Sequence, residues 1–147
     1  MTDAPPLARK TWMAALAKAS PVRLAALVPD LPVHTVLRQP EIGAVMVRGR
    51  VGATGAAFNL GEMTVTRASV RLVSGEVGHA WVQGRDKGHA LRAAAVDALM
   101  QTDRASDLMS RVLQPLEAEA GAARAIRAAK AAGTKVDFFT MVRGEDE

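Results

Sequence analysis

The chain predicts an α+β fold: an antiparallel β-sheet of about four strands, flanked by N-terminal and C-terminal helices, with an extended C-terminal tail. Three observations carry this. Helix-period segments open the chain, broken at Ser20-Pro21. A middle block rich in valine, threonine and glycine alternates with period two. Alanine-rich helical segments then follow. At 147 residues the simplest organisation is one domain over 1–147, long enough to bury roughly 68–70% of its unfolded surface. Its parts are helices in 7–28, sheet in 35–84, helices in 86–132 and tail in 135–144.

Residues 7–19 form the first predicted helix. Leu7, Thr11, Ala14, Ala15 and Lys18 fall on one side, with Trp12 and Leu16 at i, i+4 on another. Ser20 is placed to cap a second, short helix with Pro21 at its first position, and Pro29 and Pro32 end it. Thr35–Arg38 is a short candidate strand. Residues 42–51 make a better one, with Val45, Val47 and Val51 on one face and Met46, Arg48 and Arg50 on the other. Residues 63–73 and 76–84 are strands joined by a two-residue Ser74-Gly75 turn. That turn predicts Leu72 opposite Val77, Val70 opposite His79 and Ala68 opposite Trp81 on a mostly apolar face. Arg71, Ser69 and Arg67 then oppose Gly78, Ala80 and Val82. Asp86 is placed to cap a helix reaching about Gln101, with Leu91, Ala94, Ala95, Ala98 and Leu99 as its stripe. Another helix holds Leu108, Met109, Val112 and Leu113, and Pro115 interrupts it and starts the last one, which Gly133 stops. The tail then turns apolar through Val136, Phe138, Phe139, Met141 and Val142.

Composition narrows the function. Apolar residues are 49% and aromatics only 3%, with no tyrosine. The core must rely on small side chains, which makes a partner-assisted core plausible. With no cysteine, disulfides, thiolate chemistry and Cys-ligated metals are excluded. No basic leader precedes an apolar run, and no run approaches the ~18 apolar residues of a membrane span. A cytoplasmic protein away from the membrane is expected. The net charge of +4 is concentrated from Arg38 to Arg92, where eight Lys/Arg meet four acids. A basic sheet favours an anionic partner or merely keeps the surface soluble.

No complete catalytic set is visible. The glycines at 49, 52 and 55 match neither a phosphate-binding loop nor a dinucleotide fingerprint, and they lead into a strand; a hairpin or bulge connection fits better. His34, His79 and His89 lack metal-ligand spacing, so no metal site is assigned. His79 is placed beside Val70, and His89 on a solvated first helical turn. At the helix entrance Arg85, Lys87 and His89 either hold an anion on free N–H groups or meet an acidic partner; Asp86 competes for those same groups. Arg48, Arg50 and Arg67 are the other candidates for anion or interface contact. Nucleic-acid binding is disfavoured, because aromatic stacking platforms are missing. In the tail, adjacent Phe138 and Phe139 put one ring on each side of an extended segment. Val136, Phe138, Phe139, Met141 and Arg143 therefore suit strand addition to a neighbour, or completion of this chain's own sheet.

Several segments together are more specific than any alone: Trp12-Met13; Arg48 with Gly52, Thr54 and Gly55; 64–72 with Thr66-Arg67; 81–87 with His89; 96–101; and 136–144. In this order, over nearly the whole chain, they resemble the PhnG family, a subunit of the bacterial carbon–phosphorus lyase system. The resemblance implies an accessory or non-catalytic subunit acting with PhnH-, PhnI- and PhnJ-like subunits and a PhnL-like ATPase, in a hetero-oligomer with two copies of each core subunit. It implies an assembly that displaces adenine from MgATP with an alkylphosphonate. This chain would bind no cofactor, and the lyase subunit would carry an iron–sulfur cluster with S-adenosylmethionine. The alternative is a stand-alone protein binding anions, nucleotides or nucleic acid.

Overall fold

A computed structural model describes residues 6–136 and 138. It bears out the α+β class. The order is α1 (Pro6–Lys18), α2 (Pro21–Leu27), β1 (His34–Arg50), a 3₁₀ turn (Val51–Ala53), β2 (Ala57–Leu72), β3 (Val77–Gln83), α3 (Lys87–Leu99), α4 (Ala105–Leu108), a π-helical turn (Met109–Leu113) and α5 (Gln114–Ala132).

The sheet has three antiparallel strands in the order β1-β2-β3. The two expected strands at 35–38 and 42–51 are one. Pro40 cannot donate to a ladder, and the pairing with β2 shifts on either side of Arg38 instead of stopping. β3 pairs only with 65–71 of β2, so the remainder of β1 and β2 continues outward as a two-stranded ribbon.

The β2–β3 turn corrects the predicted register. The Leu72 N–H donates to the Glu76 carbonyl (2.9 Å) and the Gly75 N–H to the Leu72 carbonyl (3.0 Å), closing a loop of Val73, Ser74 and Gly75. Gly75 has φ +109°, a conformation that favours glycine. One extra loop residue moves every pairing by one. Arg67 opposes Trp81, Ala68 opposes Ala80, Ser69 opposes His79 and Val70 opposes Gly78. Thus Ala68, Val70, Leu72, Ala80 and Val82 enter the core, while His79 and Trp81 face out.

α3 lies on the inner face of the sheet. Its alanines at 90, 93, 94, 95 and 98 are all buried, because α1 and α2 close over its other sides. From α1, Trp12 and Leu16 fill the core, as does Leu24 from α2. The Asp86 cap is confirmed: its Oδ1 accepts from the His89 N–H at 2.7 Å. Ser20 caps α2 by accepting from the Arg23 N–H at 3.5 Å. α4, the π-helical turn and α5 run on without a break. Pro115 offers no N–H to residue 111, and the wider turn just before it absorbs that loss. Beyond Leu116 most of α5 is exposed. Of the expected tail contacts, Val136 and Phe138 are exposed; Phe139, Met141 and Arg143 lie outside the described residues.

Candidate functional site

Asp97 has the densest set of polar contacts. It is fully buried in α3, yet four donors meet its carboxylate. Arg9 donates from Nε to Oδ1 (3.2 Å) and from Nη2 to Oδ2 (2.7 Å). Trp12 Nε1 donates to Oδ1 (2.8 Å), and the His79 backbone N–H to Oδ2 (2.8 Å). Arg9 and Gln101 both also donate to the Val77 carbonyl. These side chains seal part of the outer edge of β3, where bare backbone groups would recruit a foreign strand. Sequence reasoning missed this hub. The available signal was a lone acid within an alanine-rich apolar helix, in a chain whose Trp12 needed an acceptor.

Ser69 and His79 form the nearest approach to a catalytic pair, with Ser69 Oγ 2.7 Å from His79 Nδ1. It falls short of a triad, because Asp97 accepts from the His79 backbone and not from its ring. Among the described residues no three His, Asp or Glu side chains gather to hold a metal ion. No described helix is long and apolar enough to cross a membrane.

The expected solvated position of His89 is corrected. The residue is 2% exposed, and its Nε2 lies 2.9 Å from the Leu16 carbonyl, to which it donates. Nδ1 has no hydrogen-bond partner, as suits a neutral ring with its proton on Nε2. Burial pushes its pKa below the ordinary 6.5, and the Leu16 carbonyl opposes this only in part. The unfolded chain therefore takes up a proton that the folded chain resists. Stability from this site should be complete above about pH 6.5 and decline as pH falls below it. Urea unfolding at pH 7, 6 and 5 should show that decline in the wild type and a shallower one in His89→Asn. Equal slopes would remove His89 as the cause.

The other predicted contacts do not converge. Arg85 and Lys87 are exposed where β3 gives way to α3, at Gly84 with φ +92°. Arg48 and Arg50 are exposed near the ribbon tip, where Arg50 Nη1 donates to the Gly55 carbonyl (3.1 Å). Gln83 pairs with Val65, and Arg48 with Asn59. At the rise of a strand these two places are about 20 Å apart. The glycine-rich stretch is the ribbon's turn, as its spacing predicts. Arg67 stands between them. It donates from Nε to Glu41 Oε2 (2.9 Å) and pairs with it through Nη2 at 2.8 Å. Its guanidinium lies 5.5 Å from the centre of the Trp81 ring. Hydrogen bonding and charge from Arg67, with a smaller share from Arg38, hold the Glu41 carboxyl below its ordinary value.

The geometry defines a two-layer α+β domain whose sheet is helix-backed on one face and bare on the other. A family model described as phosphonate metabolism protein PhnG matches residues 7–144, and the chain belongs to that family. It is also 47% identical, over 119 residues, to the alpha-D-ribose 1-methylphosphonate 5-triphosphate synthase subunit PhnG of Rhizobium meliloti (strain 1021). That match covers 81% of this chain and 76% of the relative.

Proposed function

We propose that this chain is an accessory, non-catalytic subunit of an enzyme complex in phosphonate catabolism. The complex transfers the ribose triphosphate of MgATP to an alkylphosphonate and releases adenine. The observation that carries this reading is the 47% identity with a named synthase subunit. It is joined by a site region with no nucleophile–base–acid set among the described residues. The partners are PhnH-, PhnI- and PhnJ-like subunits and a PhnL-like ATPase, with two copies of each core subunit. This chain holds no cofactor; MgATP and the iron–sulfur cluster with S-adenosylmethionine belong to its partners.

The test is reconstitution from purified subunits with MgATP and methylphosphonate. The complete set should release adenine, omission of this chain should abolish release, and this chain alone should release none. Adenine release by the chain alone would refute the accessory role. Salt-dependent binding to DNA or RNA far beyond that of an equally basic protein would favour the nucleic-acid alternative. Reversing two exposed charges in Arg85→Glu/Lys87→Glu should weaken assembly about tenfold, most at low salt. Unchanged assembly would take both residues out of the interface.

A further inference from the structure

The bare sheet face is polar and charged where three strands meet and apolar along the ribbon. Register places Arg67, Val65, Met63 and Gly61 of β2 on the side away from α3, with Glu41, Gly43, Val45 and Val47 of β1 opposite them. Trp81 of β3 stands beside Arg67 on this side. We propose that this face, continuing onto the ribbon, docks another subunit of the complex through a surface with an apolar centre and an acidic rim. The inference rests on the accessory-subunit reading above and adds the face and the partner's chemistry.

Three observations support it. The first is the row Trp81–Arg67–Glu41 across all three strands. Trp81 is 50% exposed, and the two bonds to Glu41 hold Arg67 in place beside it. Tryptophan and arginine are among the residue types in which interface hot spots are enriched. A hollow of about 260 Å³ opens next to it, lined in part by Gly43, Val65 and Trp81.

The second is the ribbon. Its continuation of this face is uncharged, through Val45, Val47 and Met63, and ends at Phe58 and Leu60, which pack beside Gly49. Phe58 is 43% exposed and Leu60 66%. A two-stranded ribbon has marginal stability in water, so apolar side chains on one face gain most when another surface covers them.

The third is charge. Arg71 on this face, and Arg85 and Lys87 just beyond the end of β3, are exposed and form no ion pair among the described residues. An acidic rim complements them. A second copy of this chain would instead bring the same cations against one another.

The experiment uses the full complex with tagged wild-type chain, Leu60→Asp, Trp81→Glu and Arg71→Glu/Lys87→Glu. Thermal unfolding of each isolated variant checks folding. Hydrogen exchange of the wild type, alone and assembled, reports coverage without any substitution. Ribbon amides of 43–63 should exchange about tenfold or more slowly in the complex than alone. Leu60→Asp and Trp81→Glu should fold and lose co-purification with the other subunits. The charge-reversed pair should assemble less well at low salt than at high salt, where screening relieves the new repulsion. Unchanged ribbon exchange, or full incorporation of folded Leu60→Asp and Trp81→Glu, overturns the proposal. So does a stable dimer of the isolated chain that Leu60→Asp dissolves, since a second copy is then the occupant. Ribbon protection in the isolated chain that vanishes when 137–147 is removed makes the chain's own tail the occupant, and also overturns it. If the wild type fails to join the other subunits at all, the accessory-subunit reading itself has failed.

Discussion

Asp97→Ala should cost about 3 kcal/mol. The Arg9 side chain, 32% exposed, can turn to water. Trp12 Nε1 and the His79 N–H lose their acceptor, at about 1–3 kcal/mol for each buried group left unsatisfied. Total stability is typically about 5–15 kcal/mol, so the variant should unfold in markedly less urea or fail to accumulate. Four donors lose their acceptor at once: Arg9 Nε and Nη2, Trp12 Nε1 and the His79 N–H. Three of them are on α1 and one on β3, so the loss loosens α1 from α3 and bares part of the β3 edge. Trp12→Phe is the measured contrast. It removes one donor, leaves the carboxylate three others, and should cost about 1–2 kcal/mol beyond any packing change. Equilibrium urea unfolding of both variants checks this. Asp97→Ala within 1 kcal/mol of the wild type, on the scale of an exposed pair, would show that the hub is not holding the helices to the sheet.

Gly78→Ala should be as damaging, although it adds a single carbon. A Cβ at position 78 would collide with the Ala94 carbonyl oxygen and stand 2.6 Å from the Ala98 nitrogen. Overpacking against side chains costs about 1–3 kcal/mol. Here the obstacle is helix backbone that no rotamer change can move, so the cost should be about 3 kcal/mol or more. Relief requires α3 to lift from the sheet, opening the alanine-lined contact along its length. Ala94→Gly should not rescue Gly78→Ala, because the clashing oxygen remains. Gly43→Ala and Gly61→Ala, whose added carbon meets open space, should change stability little by comparison. Thermal melts of the four proteins test this ordering. A Gly78→Ala melt matching that of Gly61→Ala would refute the close contact between α3 and β3.

The two positions differ in how much of their role was legible. The alanine stripe of α3 and its Asp86 cap follow from helical period and cap chemistry, and Ser20-Pro21 marks the start of α2 in the same way. Alternation along 45–50 also held, with Val45 and Val47 opposite Met46, Arg48 and Arg50. Gly78 carried no such mark. Its meaning depended on which face of β3 turned inward, and that followed from Val73, Ser74 and Gly75 forming a three-residue loop where two residues were expected. The same one-residue change brought Trp81 out beside Arg67. His89 was misplaced for a related reason. Its place in the first turn suggested solvent, but the packing of α1 brought the Leu16 carbonyl over it. Among the site residues, Arg48, Arg50, Arg85 and Lys87 are exposed as a charged surface pattern implies, yet they divide between the ribbon tip and the start of α3.

The amino-acid sequence by itself determined the α+β class, the ends of the first three helices to within a few residues and the family, through segments that keep their order along nearly the whole chain. These depend on near neighbours: caps, prolines, and periods of two or 3.6. The break expected at Pro115 is absent, because the π-helical turn carries the helix through it. Only the tertiary structure decided the sheet's register, the burial of His89, the Asp97 hub and the identity of the bare face. Each of these joins residues far apart in the chain, such as Arg9 with Asp97 or Trp81 with Arg67 and Glu41. Such pairings depend on how elements pack, and a single residue in one turn is enough to exchange the inside of a strand for its outside.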